Sequence, residues 1–482
     1  ALGPGAQAVL PSPTFEMIPR YVDLAGGQVR SFPWPSGPLP VDELLDLCGP
    51  ETELVFIVSP NNPTGAVASA ADLERIATAL PETLIVLDAA YGEFADDDLT
   101  AGALAFENVV VVRTFSKAWG LAGLRVGYAL GSPGWIARLA ASGNPYPVSS
   151  TSAAIALSRL TNGEPGMREY VARIAEERAE MLLVLQSLGY SAAPGSQANF
   201  VLASGLPAAW IQAGLGALGI GVRIFPDTPA LEGALRITLP GNRPQFERLV
   251  RALQAVAAPE ALLFDLDGVL GDVSASYRQA ILATAASFGV TITAGDVEAA
   301  KARGNANDDW ALTWMLLRAA GVQVPLDEVT RRFEVLYQGT AQEPGLRDAE
   351  SCLVTREVLT RWKQSYALGV VTGRPRTDAL FFLERFGLSD VFDVIVCRED
   401  AELKPNPAPV RFALESLGVT SAWMLGDTRD DVESARGAGV LPIGVIAPGA
   451  AASRTRQALF TAGAVAVLET ANALEELLPC SK

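Results

Sequence analysis

"TFSKAWGLAGLRVG", residues 114–127, overlaps the strand-like run "NVVVVRTFS", which ends at Ser116, and places Lys117 directly after it, with Arg125 further on among glycines. A lysine at the end of a buried strand is badly placed for a solvated surface and well placed to react with something held there. Two earlier runs have the same form. "TELVFIVSP" and "ETLIVLDAAY" also end in polar residues, at Ser59–Gly65 and Asp88–Tyr91, and helical patterns such as "SAADLERIATAL" lie between them. Apolar runs alternating with helices predict a mostly parallel sheet covered on both faces, with ligands beyond the strand ends. From about Glu164 the pattern becomes helices with "ANFVLAS", "GVRIF" and "ALRITLP", which predicts a second, smaller layer.

A linker, "QAVAAPE", leads to a new start. "ALLFDLDGVL" reads as a buried strand followed by two aspartates. Residues from about 276 to 362 are helical in pattern, as in "DDWALTWMLLRAAG", and strands then resume in "ALGVVTG", "VFDVIVC", "SAWMLGD" and "VLPIGVI". This predicts a second α/β domain with a helical insert. No internal repeat or low-complexity tract is present.

The bulk composition narrows the function classes. The 482 residues suggest two to four domains. Hydrophobic residues make up 49% and mean hydropathy is +0.25, enough for large cores. No long apolar run reads as a membrane span, and the opening "ALGPGAQAVLPSPTF" has neither a basic n-region nor a cleavage pattern. With 37 Lys+Arg against 54 Asp+Glu, the net charge of −17 disfavours a broad nucleic-acid surface, so an anionic small molecule needs a local arginine or metal. The four cysteines are scattered, which fits reduced thiols in a cytoplasmic setting. There is no histidine, so chemistry falls to Lys, Asp, Glu, Tyr or a cofactor.

Three motifs occur in order: "VSPNNPTG" (58–65), "VLDAAYGEF" (86–94) and "RTFSKAWGLAGLRVG" (113–127). Singly they are ordinary, since "NNPTG" is a common turn and a lone aspartate a common helix cap. Together they resemble the signature of fold-type I pyridoxal-phosphate (PLP) aminotransferases. "PTFEM" (13–17) and "LRITLPG" (235–241) narrow the resemblance to histidinol-phosphate aminotransferases, over essentially all of 1–257. The resemblance implies a large domain of about 1–163 and a small one of about 164–257. It assigns Lys117 to carry PLP and shuttle the substrate proton, and Asp88 to keep the pyridine nitrogen protonated. Asn62 and Tyr91 would bond the ring phenolate, Phe15 would cover the ring face, and Ser116 and Arg125 would take the phosphate. Arg236 would anchor the anionic end of the substrate, with Arg223 as a second candidate.

Two departures stand out. Ala89 occupies a position that is usually acidic in the family. The family's N-terminal arm, first helix and glycine turn have no counterpart before "PTF", and the chain lacks an initial Met. It therefore reads as N-terminally incomplete, lacking a strong backbone site for the PLP phosphate.

"FDLDGVL" (264–270), "VVTGRP" (370–375), "ELKPNPAP" (402–409) and "MLGDTRDDVESARGAG" (424–439) also follow in order. They resemble the four motifs of haloacid dehalogenase superfamily phosphatases, over about 261–482, with a Rossmann-like core and a helical cap at about 276–362. The second aspartate favours phosphate chemistry over dehalogenation. The resemblance implies Asp265 as nucleophile, Asp267 as acid and base, and Thr372 and Lys404 as phosphoryl holders. Asp265, Asp267, Asp427 and Asp431 would form the Mg²⁺ site. In the cap, "RGNANDDWALTW" (303–314) offers Arg303, Asn307 and Asp308 either to the substrate or to helix capping.

The expected protein is an α/β chain with two consecutive activities, transamination giving histidinol phosphate and hydrolysis of that ester. An amino acid and a phosphate monoester are its small-molecule substrates, with no nucleic acid or membrane partner and a homodimer implied by the aminotransferase resemblance. The alternatives are the same two chemistries on other substrates, or a non-catalytic dimerisation module carrying an active phosphatase.

Overall fold

The computed structural model describes residues 3, 5–205, 207–301, 308–340 and 342–478. They fall into two compact units, Ala1–Gln212 with Val222–Val250, and Ala213–Gly221 with Arg251–Lys482.

The first unit is built on six strands: β1 (Gln7–Ser12), β2 (Gln28–Pro33), β3 (Thr52–Val58), β4 (Leu84–Asp88), β5 (Val109–Thr114) and β6 (Gly127–Gly131). They lie in the order β2-β1-β3-β4-β5-β6. All neighbours are parallel except β6, which runs antiparallel to β5 at the edge. Val55, Ile57, Ile85, Leu87, Val109 and Val111 are fully buried on one face of the sheet and form a single core, while Phe56 and Val86 on the other face are only half-buried. Helix Ala70–Ala79 starts at a capping box in which Ser69 and Asp72 satisfy each other's backbone N–H groups. The smaller layer is an antiparallel sheet of β7 (Ser191–Ala192), β8 (Phe200–Ser204), β9 (Arg223–Ile224) and β10 (Leu235–Thr238), in the order β7-β8-β10-β9.

The second unit has a six-stranded parallel sheet. Its strands are β11 (Ala261–Phe264), β14 (Ala367–Val371), β15 (Val394–Val396), β16 (Ala422–Gly426), β17 (Leu441–Val445) and β18 (Ala466–Leu468), in the order β15-β14-β11-β16-β17-β18. The chain departs from β11 to β14 on one side and returns to β16 on the other. The carboxyl end of β11 is therefore a topological switch point, where such sheets bind ligands. Two short strands, β12 (Gly271–Asp272) and β13 (Ser351–Cys352), pair antiparallel and bring the entry and exit of the helical insert together. The insert has its own core of Tyr277, Ile281, Leu312, Phe333 and Tyr337. Among the described residues, no helix is long and apolar enough to cross a membrane.

Candidate active sites

In the first unit, β3, β4 and β5 are parallel neighbours, so the loops after them open on one edge of the sheet. Asp88 is the last residue of β4, and its Oδ1 accepts a hydrogen bond from the Ala90 N–H at 3.0 Å. Burial pushes the Asp88 carboxyl above its usual value, against the pull of the Ala90 N–H and of Lys117. Lys117 Nζ lies 5.2 Å from the centre of the Tyr91 ring, which Phe200 meets edge-on at 5.2 Å. Lys117, Asp88 and Tyr91 are thus brought together.

A second group gathers around Arg236 on β10. Its Nη1 donates to Asn62 Oδ1 at 2.6 Å, and its guanidinium lies 5.0 Å from the Phe200 ring centre. Burial, with Arg223 nearby, lowers the Arg236 pKa, and its buried Nε has no hydrogen-bond partner. The loop carrying Asn62 is held from below. Asn61 Nδ2 donates to the Pro13 carbonyl at 2.9 Å and to Thr64 Oγ1 at 3.0 Å. Gly65 has φ +75°, and a Cβ there would lie 1.9 Å from Ser196 Oγ, so only glycine fits. Phe15, Asn62, Arg223 and Arg236 line one cleft, and Arg223 pairs with Glu16 at its side.

Of the two residues expected at the PLP phosphate, Ser116 lies directly before Lys117, its backbone N–H donating to Thr114 Oγ1 at 3.0 Å. Arg125 is exposed, has φ 56°, and donates from Nη1 to the Ala122 carbonyl at 3.0 Å. The structure therefore turns Arg125 onto its own turn. Lys117, Asp88 and Tyr91 fit a protonated pyridine ring bearing an aldehyde, since the half-buried Asp88 carboxylate, its pKa raised by desolvation, is stabilised by a cation beside it.

Sequence reasoning missed Arg113. Its Nη2 pairs with Glu93 Oε1 at 3.0 Å, each side chain being 8% exposed, and Trp119 Nε1 donates to the same oxygen at 3.1 Å. This pair ties the loop after β4 to the segment after Lys117. The available signal was a lone charge inside the apolar run "VVVVRT".

In the second unit, Asp265 directly follows β11 and stays in register, its N–H donating to the Leu425 carbonyl at 2.9 Å. Thr372 follows β14 in the same way, donating to the Val396 carbonyl at 2.9 Å. Asp427 follows β16. Lys404 reaches in from the segment after β15, with Nζ 2.9 Å from Asp265 Oδ1, 2.5 Å from Asp431 Oδ1 and 3.0 Å from the Val371 carbonyl. Asp431 is fixed by its own helix. In a capping box its N–H bonds Thr428 Oγ1, while its Oδ2 accepts from the Thr428 N–H at 2.9 Å.

Asp265, Asp427 and Asp431 each offer an oxygen within 4.8 Å of the others. Burial, helped by the neighbouring charges of Asp431 and Asp267 and opposed by Lys404, pushes Asp265 up to about 7 in all. Burial works against the Lys404 ammonium, yet Asp265 and Asp431 hold its pKa above the usual lysine value. Carboxylates this close repel unless a cation lies among them, and an all-oxygen set suits a hard divalent ion. Two glycines permit the approach. A Cβ on Gly426 would lie 2.1 Å from Asp431 Cβ, and one on Gly268 would lie 2.5 Å from Asp427 Oδ2.

Asp267 stands apart from these three carboxylates. Its Oδ1 accepts from Arg374 Nε at 2.7 Å and lies 2.6 Å from Arg374 Nη2. Asp265, Asp267 and Asp427 line a cavity of about 120 Å³, open at its mouth, with Tyr277, Arg278 and Glu298 of the insert also lining it. Asp308 caps helix Asp309–Ala319 through the N–H groups of Trp310 and Ala311, and Arg398 pairs with its other oxygen at 2.9 Å. Arg303 and Asn307 lie outside the described residues.

Fold and geometry define a two-part architecture, aminotransferase-like in its first unit and hydrolase-like in its second. The chain belongs to the class I and II aminotransferases, whose family model matches residues 1–253, and residues 262–445 match the model of haloacid dehalogenase-like hydrolases. A histidinol-phosphate aminotransferase of Sinorhizobium fredii is 33% identical over 263 residues, covering 54% of this chain and 70% of that protein. An imidazoleglycerol-phosphate dehydratase of Phytophthora nicotianae is 44% identical over 202 residues, 40% of this chain and 45% of that protein. The chain thus spans less than half the length of that relative. Among solved structures, histidinol-phosphate aminotransferase from Sinorhizobium meliloti in complex with PLP matches at 30% identity and a TM-score of 0.47, over 53% of this chain and 73% of that one.

Proposed function

We propose that the chain performs two consecutive reactions. The first is PLP-dependent amino exchange between glutamate and imidazole acetol phosphate, giving histidinol phosphate. The second is Mg²⁺-dependent hydrolysis of that ester. The names of two relatives, a histidinol-phosphate aminotransferase and an imidazoleglycerol-phosphate dehydratase, support an imidazole-bearing phosphate as the common substrate. The observation that carries the hydrolytic half is the buried Lys404 ammonium set between Asp265 and Asp431 with Asp427 alongside.

In the first unit PLP, when bound, supplies the electron sink for a substrate carbanion. Lys117 Nζ takes the proton from the substrate Cα. Asp88 holds positive charge at the ring nitrogen, the role for which its raised pKa needs a cationic neighbour. Because Asn62 Oδ1 accepts from Arg236, its Nδ2 is left to donate to the ring oxygen. Arg236, desolvated and with one N–H unsatisfied, binds the anionic end of the substrate. A homodimer would complete this unit. None of helix Pro133–Ser142 is buried, and Tyr146, Leu157 and Leu160 stand exposed beyond it, an apolar face that a second copy would cover.

In the second unit Asp265, Asp427 and Asp431 would hold Mg²⁺, which supplies charge neutralisation. An Asp265 oxygen attacks phosphorus, the P–O ester bond breaks, and the leaving alkoxide takes a proton from Asp267. A water then attacks the aspartyl-phosphate, gives its proton to Asp267, and inorganic phosphate leaves as Asp265 is regenerated. Lys404 and Thr372 hold the phosphoryl oxygens. Phosphate release from histidinol phosphate in Mg²⁺ tests this reading. It should vanish in EDTA and in Asp265→Asn, and activity surviving either change contradicts the mechanism.

A further inference from the structure

Arg374, in "TGRP", is a buried and fully engaged cation of the second unit that the reaction above leaves without a role. Its side chain is 1% exposed. Nε and Nη2 both address a single oxygen, Asp267 Oδ1, at 2.7 and 2.6 Å. Nη1 and Nη2 also donate to the two oxygens of Glu350 at 3.1 Å each, and Nη1 to the Tyr337 hydroxyl at 3.2 Å. The guanidinium faces the rings of Tyr277 at 4.8 Å and Phe382 at 5.4 Å. Glu350 is fixed in turn, accepting from Ser276 Oγ at 2.8 Å and the Tyr337 hydroxyl at 3.2 Å. Ser276, Tyr277, Tyr337 and Glu350 belong to the insert between β12 and β13, whereas Thr372 Oγ1, which accepts the Arg374 N–H at 3.1 Å, belongs to the core.

We infer that Arg374 is a positioning residue for Asp267, and that it ties the placement of that carboxylate to the docking of the helical insert. The inference rests on the phosphatase reading above. By holding Oδ1, Arg374 keeps Asp267 out of the three-carboxylate cluster and leaves Oδ2 outside the clamp, on a residue that lines the cavity where the ester oxygen and the attacking water must come. A rigid, planar, fully engaged guanidinium can do this, and a flexible ammonium does it less well. A purely structural ion pair would stabilise the insert equally well without touching the proton transfers, so the experiment must separate the two.

The discriminating property is the leaving group. An alkoxide needs the Asp267 proton to depart, whereas p-nitrophenolate leaves without it. Both esters pass through the same aspartyl-phosphate, whose hydrolysis needs Asp267 again. The full chain in Mg²⁺ is assayed as wild type, Arg374→Met, Arg374→Lys and Glu350→Gln, on p-nitrophenyl phosphate and histidinol phosphate. Arg374→Met should lower kcat on the alkyl ester by roughly 10²-fold, the scale of one proton transfer, with KM within about threefold of wild type. On p-nitrophenyl phosphate it should give a burst of one nitrophenol per chain, followed by slow turnover. Intact mass should then show a phosphoryl group on Asp265. Arg374→Lys should recover part of the rate, and Glu350→Gln should show the same split more weakly, which carries the test if Arg374→Met does not fold. Equal losses on both esters with no burst and no phosphorylated chain, or an unchanged alkyl kcat, would overturn the positioning role alone. A wild-type chain that releases phosphate from neither ester would overturn the phosphatase reading and this inference together.

Discussion

Lys404 Nζ lies 2.9 Å from Asp265 Oδ1, and the lysine is, with Arg113 and Arg374, among the buried cations of the described residues. The same nitrogen reaches Asp431, so a single ammonium offsets two buried carboxylates. Lys404→Met should leave both carboxylates unpaired and cost about 3–5 kcal/mol in the stability of the second unit. Added Mg²⁺ should restore part of that loss, because a bound cation stabilises the folded state. Urea unfolding with and without Mg²⁺ reads both effects. A variant as stable as wild type in EDTA would show that the lysine does not hold the cluster together.

Gly426 lets the helix carrying Asp431 approach β16. Gly426→Ala would place a Cβ 2.1 Å from Asp431 Cβ, with backbone behind it, so the helix must shift. Overpacking of this kind costs about 1–3 kcal/mol. The more specific expectation is weaker Mg²⁺ binding by calorimetry, since Asp431 moves away from Asp265 and Asp427. Unaltered Mg²⁺ affinity would argue that Asp431 is not a ligand.

Asp265, Thr372, Asp427 and Asp431 were legible because each lies just beyond an apolar run or at a T-x-x-D helix start, both local features. The grouping of Lys117 with Asp88 and Tyr91 was legible for the same reason. Arg374 was not, because "TGRP" looks like a solvated turn and its burial depends on Tyr277, Tyr337 and Glu350, brought in by an insert with a separate core. The turn of Arg125 onto Ala122 was equally hidden, since a left-handed residue at a turn leaves no mark in the apolar pattern.

The first unit should take up PLP through Lys117, whose ammonium lies over Tyr91 beside the buried Asp88. Protein incubated with excess PLP should show a visible absorption band. Lys117→Ala should lose it. A band retained by that variant would mean that the cofactor is carried elsewhere.

Arg236 is held by Asn62 at 2.6 Å and has one N–H left unsatisfied. Arg236→Ala removes a charged hydrogen-bond partner, an interaction of about 2 kcal/mol, so the KM for the anionic substrate should rise on the order of thirtyfold. Steady-state transamination kinetics check this. An unchanged KM would place the substrate anion away from Arg236.

The claim that two sites in one chain serve successive steps on one molecule is tested most directly by the kcat/KM of the full chain for histidinol phosphate against phosphoglycolate, in Mg²⁺. The account predicts a preference for histidinol phosphate of at least about tenfold, or ~1.4 kcal/mol of transition-state binding. A preference for phosphoglycolate would contradict it.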